Sequence, residues 1–154
     1  MPNATWRASS PMTYAVRFLI SGSSVLLRIV LRQRNALAEW GHIAQGITSA
    51  LAEVECLRTL DRLRLGGSYA DIAIAERREA IYRLLDALEV VEIGSTVLGR
   101  AAQPQPTTLG TLDAIHLASA LLWRERYGRA LTMATHDSAL AVAARATGMA
   151  VVGV

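Results

Sequence analysis

Three acidic residues in this 154-residue chain stand at positions where α/β proteins often carry out chemistry. Asp137 follows an apolar run at 130–135, Asp113 opens a helical pattern, and Glu55 lies in the first turns of another helix. Because the functional groups of parallel sheets collect at the carboxyl ends of the strands, we expect these side chains to converge. Carboxylates held together raise each other's pKa, and a hard divalent cation relieves that repulsion. Mg²⁺ or Mn²⁺ in such a place can activate water against a phosphodiester.

Each acid, taken singly, also has an explanation that requires no chemistry. Asp113 can favour the dipole of the helix that it begins. Asp137 can cap the helix that follows it. Glu55 can form a surface ion pair with Arg58, one helical turn further along. The isolated positions therefore leave a structural and a functional interpretation open.

The elements that must position these acids alternate between strand and helix, which predicts an α/β fold with a central parallel sheet and helices on both faces. Residues 1–13 carry prolines and no periodicity, so they are predicted to be a loose extension before one domain at 14–154. The predicted strands are 15–21, 88–93, 130–135 and 150–154. The predicted helices are 24–33, 35–44, 49 to the glycines at 66–67, 71–87, a short one from 95, 112–127 and 138–147.

Charge and composition exclude little. The net charge is +3 and all sixteen basic residues are arginine, which permits a polyanionic partner such as RNA without requiring one. The single cysteine, Cys56, cannot form an internal disulfide, which favours a reducing, cytoplasmic setting. Arg17 and Arg28 bracket the longest apolar run, which is shorter than the roughly 18 residues of a membrane span, so no membrane segment is expected.

Three sequence motifs resemble those of one known family. They are LDAIHLASA beginning at Leu112, THDSAL beginning at Thr135, and SALAEVECLR beginning at Ser49. In their order along the chain they resemble the motifs of PIN domains, specifically those of the VapC-type toxins of bacterial toxin–antitoxin pairs. The resemblance covers residues from about 15 to 154 and implies a PIN-like three-layer sandwich.

The resemblance also implies an activity and partners. It implies the toxin of a type II toxin–antitoxin system, a ribonuclease dependent on Mg²⁺ or Mn²⁺, with RNA as substrate, a cognate antitoxin that blocks the site, and usually a homodimer. Carried over by position, Glu55, Asp113 and Asp137 are the catalytic and metal-binding set. Glu53 is expected in solvent, because residues two apart on a helix point about 200° away from each other.

One acid of the family pattern is absent. The family's first strand ends in an aspartate, but this chain has FLISGSSVLLR from Phe18, which places either Gly22 or Ser21 at the acidic position. Loss of a metal ligand should cost at least the roughly 10–100-fold that loss of a ligand's supporting partner typically costs. We therefore expect impaired catalysis. The alternative is a non-catalytic PIN-like module that only binds an antitoxin.

The remaining candidates have supporting roles. Ser24 and Thr135 can orient a ligand or a metal-bound water, although Ser24 can equally be a helix N-cap. His116 is expected to make a structural hydrogen bond rather than to bind metal, and His136 is expected at the surface. A weaker prediction places RNA along three arginines of one helix, with a solvated helix face as the alternative: Arg58, Arg62 and Arg64.

Overall fold

The computed structural model describes residues 18–154 and contains one five-stranded parallel sheet with strand order β3-β2-β1-β4-β5. The predicted extension at 1–13 and the first residues of the predicted strand 15–21 lie outside the described residues. The strands are β1 Phe18–Ser21, β2 Gln45–Ser49, β3 Glu89–Val91, β4 Thr132–Ala134 and β5 Ala150–Val152. The predicted α/β class with a parallel central sheet is confirmed.

Within residues 18–154, six α-helices and a short 3₁₀ helix connect the strands. They are α1 Ser23–Val30, the 3₁₀ helix Ala38–His42, α2 Leu51–Leu65, α3 Asp71–Asp86, α4 Ser95–Ala101, α5 Thr111–Tyr127 and α6 Ser138–Ala146. Among the described residues, no helix is long and apolar enough to cross a bilayer. The predicted helices at 71–87, 112–127 and 138–147 are confirmed within one or two residues at each end.

Both faces of the sheet are covered by helices. On one face, Ile20, Ile47 and Met133 of the strands pack in a buried cluster with Leu117 of α5 and Leu140 of α6. On the other face, α1 packs on β4 and continues into a second cluster with α2 and α3. These layers bring the carboxyl ends of β1, β2 and β4 to one edge, where α1, α2 and α6 begin.

The strand β2, which lies between β1 and β3, is a correction to the sequence prediction. The helix expected at 35–44 is wrong, because that segment forms only the 3₁₀ helix at 38–42 and then enters β2. The helix expected from 49 to the glycines at 66–67 is present as α2, but it begins after β2. The strand contains Gly46 and ends in Thr48 and Ser49, so it lacks the apolar alternation that marks a strand. Its pairing with β1 and β3, on both sides, overrides that weak local preference.

Candidate acidic site at the carboxyl edge of the sheet

The structure brings the three predicted acids to the same edge of the sheet. Glu55 lies in the second turn of α2, which follows β2, and Asp113 lies in the first turn of α5. Asp137 follows β4 and is the N-cap of α6. We call Glu55, Asp113 and Asp137 the acidic site.

The three carboxylates act on one another electrostatically. The pKa of Asp113 is raised, first by its partial burial and then by the charge of Asp137, with a further increase from Glu55. The nearby His116 acts in the opposite direction and lowers the pKa of Asp113. Asp113 is therefore held among like charges in a place where solvent cannot fully screen them.

Asp137 combines a structural role with its place in the acidic site. Its Oδ1 accepts a hydrogen bond from the backbone N–H of Leu140 at 2.8 Å, which caps α6. The backbone N–H of Asp137 donates to Oγ1 of Thr135 at 3.0 Å, and Thr135 is buried. The capping interpretation of Asp137 is thus correct, and it uses one of the two carboxylate oxygens.

Glu55 faces the interior of the site and does not pair with Arg58. Its Oε2 lies 2.6 Å from Nε2 of His116, whose Nδ1 lies 3.0 Å from Oγ of Ser49. Arg58 instead pairs with Asp61 at 3.4 Å. The surface ion pair considered for Glu55 is therefore wrong, whereas the structural hydrogen bond expected of His116 is present.

The corner at Gly22 has open space and an ordinary backbone. Gly22 is the residue after β1 and the N-cap position of α1, with φ −76° and ψ 166°, a conformation open to any residue. Among the described residues, a Cβ atom built there would meet only Leu140 Cδ2, at 4.0 Å. Ser21, in contrast, lies within β1 and is buried, and its hydroxyl donates to the carbonyl of Ile47 at 3.5 Å.

Ser24 and Thr135 both contact the loop that carries Asp137. Oγ of Ser24 accepts a hydrogen bond from the backbone N–H of His136 at 3.5 Å, and it does not cap α1, because Gly22 occupies that position. Together with the bond from Asp137 to Thr135, this contact links α1 to the loop after β4. Their structural role is to hold that loop.

His136 is not at the surface, which corrects the sequence expectation. It is half-buried, and its Nδ1 donates to the carbonyl of Gly153 at 2.6 Å. The chain passes close by here, because a Cβ at Gly153 would lie 2.7 Å from the carbonyl oxygen of Thr135. The residues after β5 therefore cover a side chain that sequence polarity alone places outside.

Comparison with known proteins gives the family of this chain. Residues 23–146 match the family model described as the PIN domain. The chain belongs to the PIN-domain family. It is 37% identical over 106 residues to Ribonuclease VapC46 of Mycobacterium tuberculosis, a match that covers 69% of this chain and 72% of the relative.

Solved structures show the same fold at lower identity. A toxin–antitoxin complex from Klebsiella pneumoniae superposes with a TM-score of 0.62 at 18% identity, covering 87% of this chain and 95% of the other. VapBC2 from Rickettsia felis, bound to a DNA fragment from its promoter, gives 0.61 at 8% identity, covering 88% and 97%. The three-layer architecture of this PIN domain is therefore that of VapC-type proteins.

The residue types of the acidic site suit a divalent cation, but their arrangement does not form a metal-binding group. Carboxylate oxygens are the ligands that Mg²⁺ prefers, and a cation would offset the burial and the carboxylate repulsion that together raise the pKa of Asp113. However, within residues 18–154 no three His, Cys, Asp or Glu side chains form a group that could hold a metal ion. Glu55 and Asp137 each have one oxygen engaged by the protein.

The predicted RNA-binding arginines lie on the outer side of α2. Arg58, Arg62 and Arg64 are exposed. Arg64 pairs with Asp61 at 3.0 Å, and Arg62 donates to Oγ1 of Thr59 at 2.8 Å. They are solvated and lie one to three turns beyond Glu55, with Arg58 and Arg62 on one face of α2 and Arg64 pointing away from Arg62.

Cys56 is unsuited to nucleophilic chemistry. It is fully buried beside Glu55 in α2, and burial, followed by the charge of Glu55, raises its pKa to about 12. The thiol therefore stays protonated at neutral pH and acts as a small apolar residue of the core.

Sequence reasoning missed Ser49 as a member of the site. It ends β2, is fully buried, and contacts His116. Because the sequence pattern does not predict β2, it places Ser49 at the start of a helix and hides its position at a strand end. The polar residues at 48, 49 and 55, once placed on a strand end and the next helix, would have indicated a buried polar network.

Proposed function

We propose that this PIN domain is the toxin of a type II toxin–antitoxin system and a Mg²⁺- or Mn²⁺-dependent endoribonuclease whose activity is limited by the absence of an acid at Gly22. One observation carries the proposal: Asp113 is partly buried with a raised pKa beside two other carboxylates. The name of its relative, Ribonuclease VapC46, supports the choice of RNA as substrate. Cys56 is buried and forms no disulfide, which suits a reducing compartment. We therefore assign cytoplasmic RNA as the substrate.

The residues of this chain would divide the work as follows. Within residues 18–154 the acids present form no three-residue metal-binding group, so an acid at position 22 would be needed for Asp113, Glu55 and Asp137 to hold the cation through carboxylate oxygens. When bound, the cation would supply an activated water and neutralise charge on the phosphate. His116 holds one oxygen of Glu55, and the N–H of Leu140 holds one oxygen of Asp137. These bonds leave the second oxygen of each carboxylate for the cation.

The geometry supports Gly22, rather than Ser21, as the position of the missing acid. Ser21 is a strand residue whose side chain contacts the β2 backbone, whereas Gly22 follows the strand and has space for a side chain. Without a carboxylate there, the site has too few negative charges to bind the cation tightly. Weak metal binding and slow cleavage are the expected consequences.

Replacing Gly22 by aspartate tests the proposal. We expect Gly22→Asp to raise Mn²⁺ affinity and RNA cleavage by at least about tenfold, the low end of the cost of disturbing a metal site. Titration calorimetry with Mn²⁺ and cleavage of a fluorescent RNA provide the two measurements. Thermal stability should also become dependent on Mn²⁺, because a further buried carboxylate repels the others until a cation is bound.

Gly22→Asn is the matched control. Asparagine has the same shape and is an equally good N-cap for α1, but it carries no charge. Equal Mn²⁺ affinity and equal cleavage in the Asp and Asn variants would contradict the proposed site.

A second candidate function is a non-catalytic module that binds only an antitoxin. Among residues 18–154, the lack of a three-residue metal-binding group favours it. In this case an antitoxin arm, entering with an arginine, would neutralise the acidic site. Both candidates assign a cognate antitoxin to this chain, in line with the toxin–antitoxin complexes that share its fold. The homodimer is a further part of the proposal.

A further inference from the structure

A buried hydrogen-bonded chain runs from the end of β2 to the acidic site. Oγ of Ser49 lies 3.0 Å from Nδ1 of His116, and Nε2 of His116 lies 2.6 Å from Oε2 of Glu55. Ser49 is fully buried and His116 is 5% exposed, while the Glu55 side chain retains 22% exposure. This series of hydrogen bonds therefore reaches from the protein interior to Glu55, the acid of the site with the longest and most flexible side chain.

The chemistry of the donors fixes the direction of these bonds. A carboxylate can only accept, so Nε2 of His116 carries the hydrogen that Glu55 receives. In the neutral ring Nδ1 is then an acceptor, and the Ser49 hydroxyl donates to it. Every polar atom of the imidazole is thus engaged, and both its tautomer and its orientation are set.

The same series of hydrogen bonds connects the elements that carry Glu55 and Asp113. Ser49 belongs to the end of β2, Glu55 to α2, and His116 to α5, one turn beyond Asp113. Because His116 and Asp113 are three residues apart, they lie on the same side of α5. A bond from His116 to Glu55 therefore places Glu55 next to Asp113, consistent with the effect of both groups on the pKa of Asp113.

We infer that His116, held by Ser49, is a positioning residue that fixes the Glu55 carboxylate toward Asp113 and leaves Oε1 of Glu55 for a ligand. This inference deepens the proposed function, on which its account of cation binding rests. Outer partners of metal-binding carboxylates typically contribute about 10–100-fold to affinity. The orientation of Glu55 itself does not depend on whether a cation is bound.

Two substitutions at His116 separate positioning from packing. His116→Gln keeps an N–H donor near the place of Nε2, whereas His116→Phe keeps a ring of similar shape and removes the donor. Ser49→Ala removes the partner of Nδ1 and should have a smaller effect in the same direction. Ser119→Ala is the control, since Ser119 is a buried residue of α5 whose hydroxyl donates to the carbonyl of Ile115 in its own helix.

The first measurement is the side-chain rotamer of Glu55 in the metal-free protein, from NMR three-bond couplings. We expect one dominant rotamer in the unmodified chain, His116→Gln and Ser119→Ala, and averaged couplings in His116→Phe. The second measurement is Mn²⁺ affinity in the Gly22→Asp background, monitored by the electron paramagnetic resonance of free Mn²⁺. There His116→Phe should weaken binding about tenfold or more, with His116→Gln close to the parent.

The outcomes distinguish the inference from the proposed function. A single Glu55 rotamer that survives in His116→Phe overturns the positioning role, whatever the metal affinity is. Averaging of Glu55 in His116→Phe alone, with no Mn²⁺ binding by any variant, supports the positioning role and overturns the proposed metal site. Equal loss of Mn²⁺ binding in His116→Phe and Ser119→Ala would show that the effect comes from a loosened α5, and would also overturn the inference.

Discussion

At the scale of single residues, Asp113 is placed where its charge is unfavourable for the fold. Burial and the neighbouring carboxylates raise its pKa, so the folded chain holds the proton of Asp113 more tightly than the unfolded chain does. For an acid with a raised pKa, stability is lost as pH rises above the unfolded pKa, usually 3.8 for aspartate, toward the folded pKa. Above both pKa values the ionised Asp113 destabilises the fold in full. Natural proteins tolerate such a loss of stability at binding sites.

Asp113→Asn should therefore change stability and activity in opposite directions. At neutral pH we expect a higher melting temperature than in the parent, and the gain should disappear on acidification below the usual aspartate pKa. In the Gly22→Asp background the same substitution should reduce RNA cleavage at least about tenfold, because it removes the negative charge of a proposed metal-binding carboxylate. Calorimetric melting over a pH series and an RNA cleavage assay measure the two effects.

Asp71→Asn provides the comparison for Asp113→Asn. Asp71 also lies in the first turn of a helix, α3, but it is exposed. There the charge favours the helix dipole, so its loss should lower stability by roughly 0.3–1 kcal/mol and leave cleavage unchanged. A rise in stability in both variants would argue against repulsion at Asp113.

Asp137 allows its two roles to be separated. Asp137→Asn keeps the cap on the N–H of Leu140, whereas Asp137→Ala loses it and should cost about 0.5–2 kcal/mol of unfolding free energy. Both variants lose the charge, so both should reduce cleavage in the Gly22→Asp background by a similar factor. Chemical denaturation and cleavage assays test this, and full activity in Asp137→Asn would mean that Asp137 serves only as a cap.

At the scale of elements, the sequence was informative where local patterns determine the outcome. The helices α3, α5 and α6 and the strands β3 and β4 follow from periodicity, and Gly128 ends α5 in the left-handed conformation that glycine favours. The strand β2 escaped prediction because its hydrogen bonds go to β1 and β3, strands that are distant in sequence. The role of Ser49 escaped prediction for the same reason, because its buried contact with His116 exists only once β2 and α5 are packed together.

The helix α2 combines an acidic site residue at one end with arginines at the other. If these arginines contact RNA, their replacement by glutamine should weaken binding to single-stranded RNA and lower the salt dependence by about 0.7 in logarithmic slope per lost phosphate contact. The residues to replace together are Arg58, Arg62 and Arg64. Fluorescence anisotropy at several salt concentrations gives both quantities.

A triple replacement elsewhere controls for net charge. Arg34, Arg78 and Arg145 are also exposed and lie outside α2. Their replacement by glutamine lowers the total charge equally, so an equal effect on RNA binding would mean that α2 has no special role. The exposed ion pairs of α2 contribute little to stability, so the fold should persist in both triple variants.

At the scale of the whole molecule, the fold is retained although one corner of the site departs from the family pattern. The sheet, both covering layers and the hydrogen bonds around Glu55 and Asp137 are complete without a carboxylate at Gly22. We therefore expect loss of catalysis and loss of partner binding to be separable in this architecture.

We expect the chain to bind its antitoxin with or without an acid at position 22. Co-expression with the product of a neighbouring small reading frame, followed by affinity purification, should recover both proteins for the unmodified chain and for Gly22→Asp. The complex should also protect RNA from the Gly22→Asp variant. Recovery of the toxin chain alone in both cases would count against a toxin–antitoxin pair.

The open corner at Gly22 has an evolutionary consequence. Its extended backbone is one that every amino acid adopts, and a Cβ atom at this position would have its nearest neighbour 4.0 Å away. Some glycine codons differ from an aspartate codon by a single base, so one point mutation could introduce the acid with no compensating change in the scaffold. If the chain is an impaired toxin, as we propose, this single mutation would restore its ribonuclease activity. Selection would then retain an antitoxin gene beside it for as long as reversion needs only one base change.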